Sequence, residues 1–257
     1  MLGELRRGEL DPGWRLADGG PAVVEEARRA GAEAVSLETC FLDGPVSADG
    51  LAVVYSWGAP NGLEFGASEA GLADLLAWIE LAEGTPLMRI VIAGPALRGR
   101  EPIEVSLERT VRPLQDAAEA ARAAGMQLAV ENHGDVTAAE LQWLLDRVDV
   151  RVCFDTANAL RVGDDVLEAT ELLAARIEMI HLKDVEPLTP DMDPVAGPGS
   201  VAYGTGVVPV EAVLDKLRFD GLVCVELGQL GSGDDDEREM VAAGVGWLRA
   251  YRERVSL

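Results

Sequence analysis

The chain has 257 residues, 48% of them hydrophobic, and a formal charge of −23. Its length suits one α/β barrel of about 250 residues, and it holds no apolar run of the roughly 18 residues that a membrane span needs. With Lys183 and Lys216 as its two lysines, the chain has little from which to build a basic face for phosphates, so neither nucleic acid nor a membrane is an expected partner. The acidity reads as a solubility device. Cys40, Cys153 and Cys224 are odd in number and widely spaced. They read as reduced thiols, mostly in strand cores, of a cytoplasmic protein. No apolar segment follows the charges of the first seven residues, so no secretory signal is expected.

In chain order, residues 1–20 are the least regular, with Trp14–Ala17 as the best candidate for a first strand. Pro21 suits a first helical turn, Val23, Val24, Ala27 and Ala30 form one apolar face, and Gly31 ends the helix. Strands are predicted at 34–38, 51–56 and 88–93, with a helix over 69–82 whose Leu72, Leu75, Leu76 and Ile79 share a face. A long helix over 104–124 stops at Gly125, and a strand follows over 127–131. Thr137 and Glu140 form a capping box for the next helix, with Leu141, Leu144, Leu145 and Val148 facing the core. Strand 150–154, helix 166–176, strand 177–182, helix 209–217, strand 222–226 and a final amphipathic helix continue the alternation. Such alternation implies a parallel sheet, and the unbroken apolar strands imply burial on both faces. No glycine-rich phosphate loop follows the early strands, which weighs against a nucleotide-binding sheet. The expected fold is a single-domain (β/α)₈ TIM barrel with a weak or irregular first strand.

Four of these strands end on a potential metal ligand. Leu128-Ala129-Val130 runs into Glu131-Asn132-His133-Gly134, Val152-Cys153-Phe154 into Asp155, Met179-Ile180 into His181, and Val223-Cys224-Val225 into Glu226. In a barrel, strand C-termini converge on the active site. Three carboxylates and one imidazole make a hard ligand set that favours Mn²⁺, Mg²⁺ or Co²⁺, with Zn²⁺ possible but less expected. An acidic residue after one strand is commonplace, because helix N-caps favour it. Four consecutive strands, using one of only two histidines, are harder to explain that way. Side chains at i and i+2 share a strand face, so His133 is placed beside Glu131, and Lys183 beside His181, as a base and an electrophile or anion anchor. Asn132, Asn158 and Asp184 are candidates for orienting ligands or substrate hydroxyls. Glu38 and Arg98 are expected at the same barrel end as substrate contacts, and Trp57 as a pocket wall.

The motifs Glu131-Asn132-His133-Gly134, Asp155-Thr156-Ala157-Asn158, His181-Leu182-Lys183-Asp184 and Tyr203-Gly204-Thr205-Gly206-Val207, together with Gly221 to Glu226, resemble the xylose isomerase-like TIM barrels, most of all their sugar phosphate isomerase/epimerase group. The likeness covers about residues 127–227 and is more specific for the superfamily than for a substrate. It implies a divalent metal, often Mn²⁺, on Glu131, Asp155, His181 and Glu226. It also implies that the two glutamates exchange a proton beside a substrate carbonyl, through an enediolate. In ketose 3-epimerases of this group a substrate-binding histidine stands where this chain has Asn158, and an arginine where it has Glu186-Pro187. Those departures weigh against a simple ketohexose epimerase.

The expected activity is metal-dependent isomerisation or epimerisation of a small sugar, sugar acid or polyol-derived ketone. The competing reading is a lyase of the inosose or dehydroshikimate dehydratase type, using the same metal site. An endonuclease IV-like reading needs a histidine-rich cluster for three metals, which His133 and His181 cannot supply. A non-catalytic barrel, or one that depends on a partner or forms a homo-oligomer, is the remaining alternative, since an incomplete first strand invites one.

Overall fold

The structure is a computed structural model that describes residues 19–48, 50–58, 69–92, 101–189, 197–228 and 237–255. Among them helix α1 (Gly19–Ala30) leads into strand β1 (Ala34–Glu38), β2 (Ala52–Trp57), α2 (Glu69–Leu81) and β3 (Leu87–Ile90). Then come α3 (Ile103–Ala123), β4 (Gln127–Glu131), α4 (Ala138–Leu145), β5 (Arg151–Asp155), α5 (Thr156–Arg161) and α6 (Val166–Leu173). β6 (Ile177–Leu182), β7 (Asp184–Val185), β8 (Ser200–Val201), α7 (Val210–Leu217), β9 (Leu222–Val225) and α8 (Glu237–Val255) complete the order.

Seven strands pair in parallel in the order β1-β2-β3-β4-β5-β6-β9. β1 also approaches β9, so the sheet curls nearly closed, the architecture of a (β/α)₈ TIM barrel. The candidate first strand at 14–17 lies outside the described residues. No helix among the described residues is long and apolar enough to cross a membrane.

Alternation along the strands separates two apolar cores. Val54, Leu87, Ala129, Cys153 and Met179, joined by Leu222 and Cys224, fill the barrel interior. The opposite strand faces, with Tyr55, Met88, Ile90, Val130, Val152, Phe154 and Ile180 among them, pack beneath the helices. The interior cluster is a dry floor. In the next layer, toward the strand C-termini, Ser56, Arg89, Glu131, Asp155, His181 and Glu226 follow these floor residues on the inward face.

Local chemistry places the helix starts. Glu140 N donates to Thr137 Oγ1 at 3.2 Å while Thr137 N donates to Glu140 Oε2 at 2.7 Å, completing the expected capping box of α4. Asp165 caps α6 by accepting from Leu167 N and Glu168 N, both at 2.9 Å. Two features were absent from the sequence expectations. Helix α5 begins immediately after β5, with Asp155 as its N-cap. β7 pairs antiparallel with β8 beyond the end of β6.

Asp184 holds that second feature in place by accepting from four backbone amides: Val185 at 2.9 Å, Gly204 at 2.8 Å, and Gly206 and Val208 at 3.0 Å each. A Cβ on Gly206 would collide with the Asp184 carboxylate and the Val185 carbonyl, and Gly204 has φ +83°. Both glycines of the Tyr203–Val207 motif therefore serve this loop. Asp184 is thus occupied with backbone rather than turned to substrate.

Replacing Thr137 with alanine removes one half of the α4 capping box and is expected to cost about 1 kcal/mol. Urea unfolding of Thr137→Ala should show a lower midpoint with an unchanged slope.

Candidate metal centre

Each strand with an inward apolar residue in the floor carries a polar residue two positions later. Ala129 is followed by Glu131, Cys153 by Asp155, Met179 by His181, and Cys224 by Glu226. Registration aligns them: Asp155 pairs with His181, and Glu226 N bonds Leu182 O at 3.1 Å. One ligand atom each from Glu131, Asp155, His181 and Glu226 lies within 4.8 Å of all the others, and all four residues are buried.

The contacts inside this group are specific. Glu131 Oε2 accepts from Arg89 Nε, while its Oε1 lies 3.6 Å from His181 Nδ1 and 3.4 Å from Asn158 Nδ2. Asp155 Oδ1 accepts from Ala157 N and Asn158 N at 2.8 Å each, leaving Oδ2 to Lys183 Nζ at 3.1 Å. Glu226 Oε1 accepts from the same ammonium at 3.1 Å, and its Oε2 packs closely against His181 Nδ1. That last contact is an ion pair outside hydrogen-bond geometry, and neither ring nitrogen of His181 nor Glu226 Oε2 has a partner within such geometry, although all are buried. Donor atoms crowded side by side without bonding one another suit a shared cation. The residues present therefore fit a hard divalent metal.

Electrostatics follow from burial against charge. Burial alone would raise Glu131, but the Arg89 guanidinium and His181 outweigh it and hold the carboxyl well below the usual range. Glu226 behaves likewise, with His181 and Lys183 overcoming its burial. Asp155 is raised, because burial and the neighbouring Glu226 and Glu131 together exceed the help from Lys183. Burial opposes charge on His181, yet Cys153, Glu226 and Glu131 lift it well above its ordinary value. Without a metal, the cluster thus keeps positive charge among its carboxylates.

Supporting residues hold the strand ends in register. Asn132 Nδ2 donates to Asp155 O at 2.9 Å and Asp155 N donates to Asn132 Oδ1 at 2.8 Å, extending the β4–β5 ladder by one side chain. Thr156 Oγ1 donates to Lys183 O at 2.8 Å and accepts from Lys183 N at 3.0 Å, tying the start of α5 to the end of β6. Asn158, which also accepts from Arg161 at 3.1 Å, faces Glu131 from α5.

Lys183 sits where the shared strand face places it, beside two of the four carboxylate and imidazole groups. His133 lies just past β4, partly buried; its backbone N donates to Asp135 Oδ1 at 3.0 Å, and its ring favours the charged form of Asp135. It is outside the four-residue group. Glu38 reaches the group indirectly, through Arg89 Nη1 at 2.6 Å. Trp57 does not line the mouth. It is fully buried, and its Nε1 donates to Asp74 of α2 at 2.7 Å, whereas Ser56 meets Ser36 Oγ at 2.7 Å on the inward face. A one-residue difference along a strand reverses the face, so Trp57 belongs to the helix-facing layer. Arg98 lies outside the described residues.

Arg89 was absent from the sequence expectations. It is 1% exposed and joins Glu38 to Glu131, and its signal was a single charge inside the apolar run Leu87-Met88-Arg89-Ile90-Val91. Such a charge persists in a barrel only when its partners are buried with it.

The pattern of xylose isomerase-like TIM barrels matches residues 13–251, and the chain belongs to that family. Over 229 residues, 80% of each chain, it is 30% identical to the 2-epi-5-epi-valiolone 7-phosphate 2-epimerase of an Actinoplanes species. Over 144 residues, 48% of this chain and 46% of the relative, it is 29% identical to the inosose dehydratase of Geobacillus kaustophilus. The structure of an L-ribulose 3-epimerase superposes with a TM-score of 0.73 at 18% identity, covering 94% of this chain and 93% of that one, a likeness of fold.

Burial pushes Asp135 up to about 6 from 3.8. The native state therefore keeps a proton that the unfolded chain has released, so this group makes stability fall as pH rises from about 4 to about 6 and then adds no further slope. Asp135→Asn removes that decline. Its stability relative to the parent should rise across this interval, by at most about 3 kcal/mol, and level off above it in urea titrations at several pH values.

Proposed function

We propose that the protein is a divalent-metal-dependent sugar isomerase or epimerase, moving a proton next to the carbonyl of a small sugar, sugar acid or polyol-derived ketone. The observation that carries this reading is the convergence of Glu131, Asp155, His181 and Glu226, with ligand atoms within 4.8 Å, at the C-terminal end of the barrel. These four residues would hold the cation, a hard ion such as Mn²⁺, Mg²⁺ or Co²⁺ by the nature of the set, and it would supply Lewis-acid polarisation of a bound carbonyl.

The two glutamates are not equivalent. Glu131 has one oxygen committed to Arg89 and the other flanked by His181 and Asn158, which holds it charged and fixed. Glu226 shares Lys183 with Asp155, so a proton arriving at its Oε1 meets a group able to take up the hydrogen-bonding change. In this reading Glu226 is the principal proton carrier and Glu131 the more rigid ligand and second carrier. Lys183, only 12% exposed, donates toward the oxygen on which negative charge develops. His133, coupled to Asp135 beside the end of β4, is the further acid–base group. Glu38 and Asn158 shape the contacts to substrate hydroxyls through Arg89 and Glu131. The apolar floor of Val54, Leu87, Ala129 and Met179 excludes water from beneath the reacting atoms.

The second reading is a dehydratase, favoured by the stretch of 144 residues shared with an inosose dehydratase. It uses the same proton abstraction but expels a β-hydroxyl. The valiolone phosphate epimerase supports the first reading over a longer span.

A mass-spectrometric screen of ketoses, keto-acids and inososes with Mn²⁺ in deuterated water separates the two. An isomerase or epimerase returns a product of unchanged formula carrying deuterium; a dehydratase yields one lighter by a water. Failure to turn over any of these together with failure to bind metal would falsify the proposal. Glu226→Gln should lower turnover by about 10²-fold or more while circular dichroism shows the barrel intact. Unchanged turnover would remove Glu226 from its role.

A further inference from the structure

Beneath the four-residue group, the floor of the barrel carries a sulfur. Cys153 is fully buried and stands directly beside Glu131 in the β4–β5 register, so both side chains project inward from neighbouring strands. One ligand atom each from Glu131, Cys153 and His181 lies within 4.8 Å of the other two. Donors sharing one zinc-sized ion in a trigonal or tetrahedral set lie about 3.5–4 Å apart, so side-chain adjustments of about 1 Å bring this trio into range. His181 is the independent sign of a ligand here. It has no exposure, and neither ring nitrogen has a partner in hydrogen-bond geometry, although Nδ1 lies against the Glu226 and Glu131 carboxylates.

We propose that the centre contains a second, overlapping position, formed by Glu131, Cys153 and His181, that takes a thiophilic divalent cation such as Zn²⁺ or Cd²⁺. The oxygen-rich set with Asp155 and Glu226 suits a hard ion, whereas one carboxylate, one thiolate and one imidazole suit a softer one. The metal–sulfur bond replaces the S–H bond of Cys153, and the released proton passes to buffer, so no oxidant or reductant is needed. The surrounding Val54, Leu87, Ala129 and Met179 keep the sulfur out of water and offer no competing hard donor. Glu131 and His181 belong to both sets. A cation drawn down to Cys153 therefore removes two ligands from the upper position and competes with Mn²⁺. This inference shares those two residues with the proposed function but does not depend on Asp155, Glu226 or turnover.

The test uses the whole chain carrying Cys40→Ala and Cys224→Ala, which leaves Cys153 as its one thiol. After chelator treatment it is titrated with Cd²⁺, following both the ultraviolet thiolate-to-cadmium charge-transfer band and the heat of binding. The expected result is a band that saturates at one Cd²⁺ per chain, survives Glu226→Gln, and is displaced by excess Mn²⁺. Adding Cys153→Ser should abolish the band while Mn²⁺ still binds. If that variant does not fold, the band of the protein with Cys153 intact decides alone. Cd²⁺ binding with no band overturns the thiolate position and leaves the upper centre standing. A band in a chain that retains only Cys224 overturns the assignment to Cys153. If neither Cd²⁺ nor Mn²⁺ binds, this inference and the proposed metal function fall together.

Discussion

Three carboxylates brought out of water to one point repel one another and lose their hydration, and effective penalties of several kcal/mol per buried ion make that arrangement unsustainable without compensation. Glu131, Asp155 and Glu226 are in this position, almost wholly buried at the C-terminal end of the barrel. The structure answers with three cationic groups placed around them. Arg89 approaches from β3 and holds Glu131, His181 stands between Glu131 and Glu226, and Lys183 bridges Asp155 to Glu226. Their different reach produces the asymmetry of the centre. Arg89 is locked inside with Glu38 as a second partner, whereas Lys183 lies at the more accessible end.

Compensation works only if the strand ends stay aligned, and much of the surrounding polar chemistry serves alignment. Asn132 extends the β4–β5 ladder, and Asp155 spends one oxygen capping α5 so that its other oxygen is aimed at the centre. Thr156 clamps α5 to the residue that follows β6, and Asp184 gathers four amides to fold the 200–208 loop against that strand. Each of these bonds fixes a side chain whose neighbour carries the chemistry. Preorganisation of this kind lets a ligand set form without paying for rearrangement. The aromatic group of Tyr203, Trp247 and Tyr251 anchors α8 to the same loop, with Tyr203 donating to Leu182 O at 2.7 Å.

The floor of the barrel matters for the same reason. An apolar interior raises the strength of every interaction above it, and it also decides which softer atoms stand close to the ligands. Burial pushes the Cys153 thiol up to about 12, against the pull of the neighbouring His181 and Arg89. The same barrel interior that holds the four polar strand ends therefore carries a buried sulfur directly beneath them.

Period-two alternation ending on Glu, Asp, His and Glu was readable along the chain, because each strand states its own face and its own terminus locally. The capping box at Thr137 and Glu140 and the limits of β4 and β6 were legible for the same reason. Arg89 was not, since its partners Glu131 and Glu38 lie 42 and 51 residues away and only the sheet order brings β1, β3 and β4 together. Trp57 looked like a pocket wall until the inward Ser56–Ser36 contact set the face of β2, and the role of Asp184 depended on a loop that returns from 20 residues downstream. The sequence by itself determined the alternation, the four polar strand ends and the Thr137–Glu140 capping box, all products of neighbours within a few residues. The tertiary structure alone decided which charges compensate one another and which sulfur lies under the four strand ends, because strand register and barrel closure place atoms together irrespective of their distance along the chain.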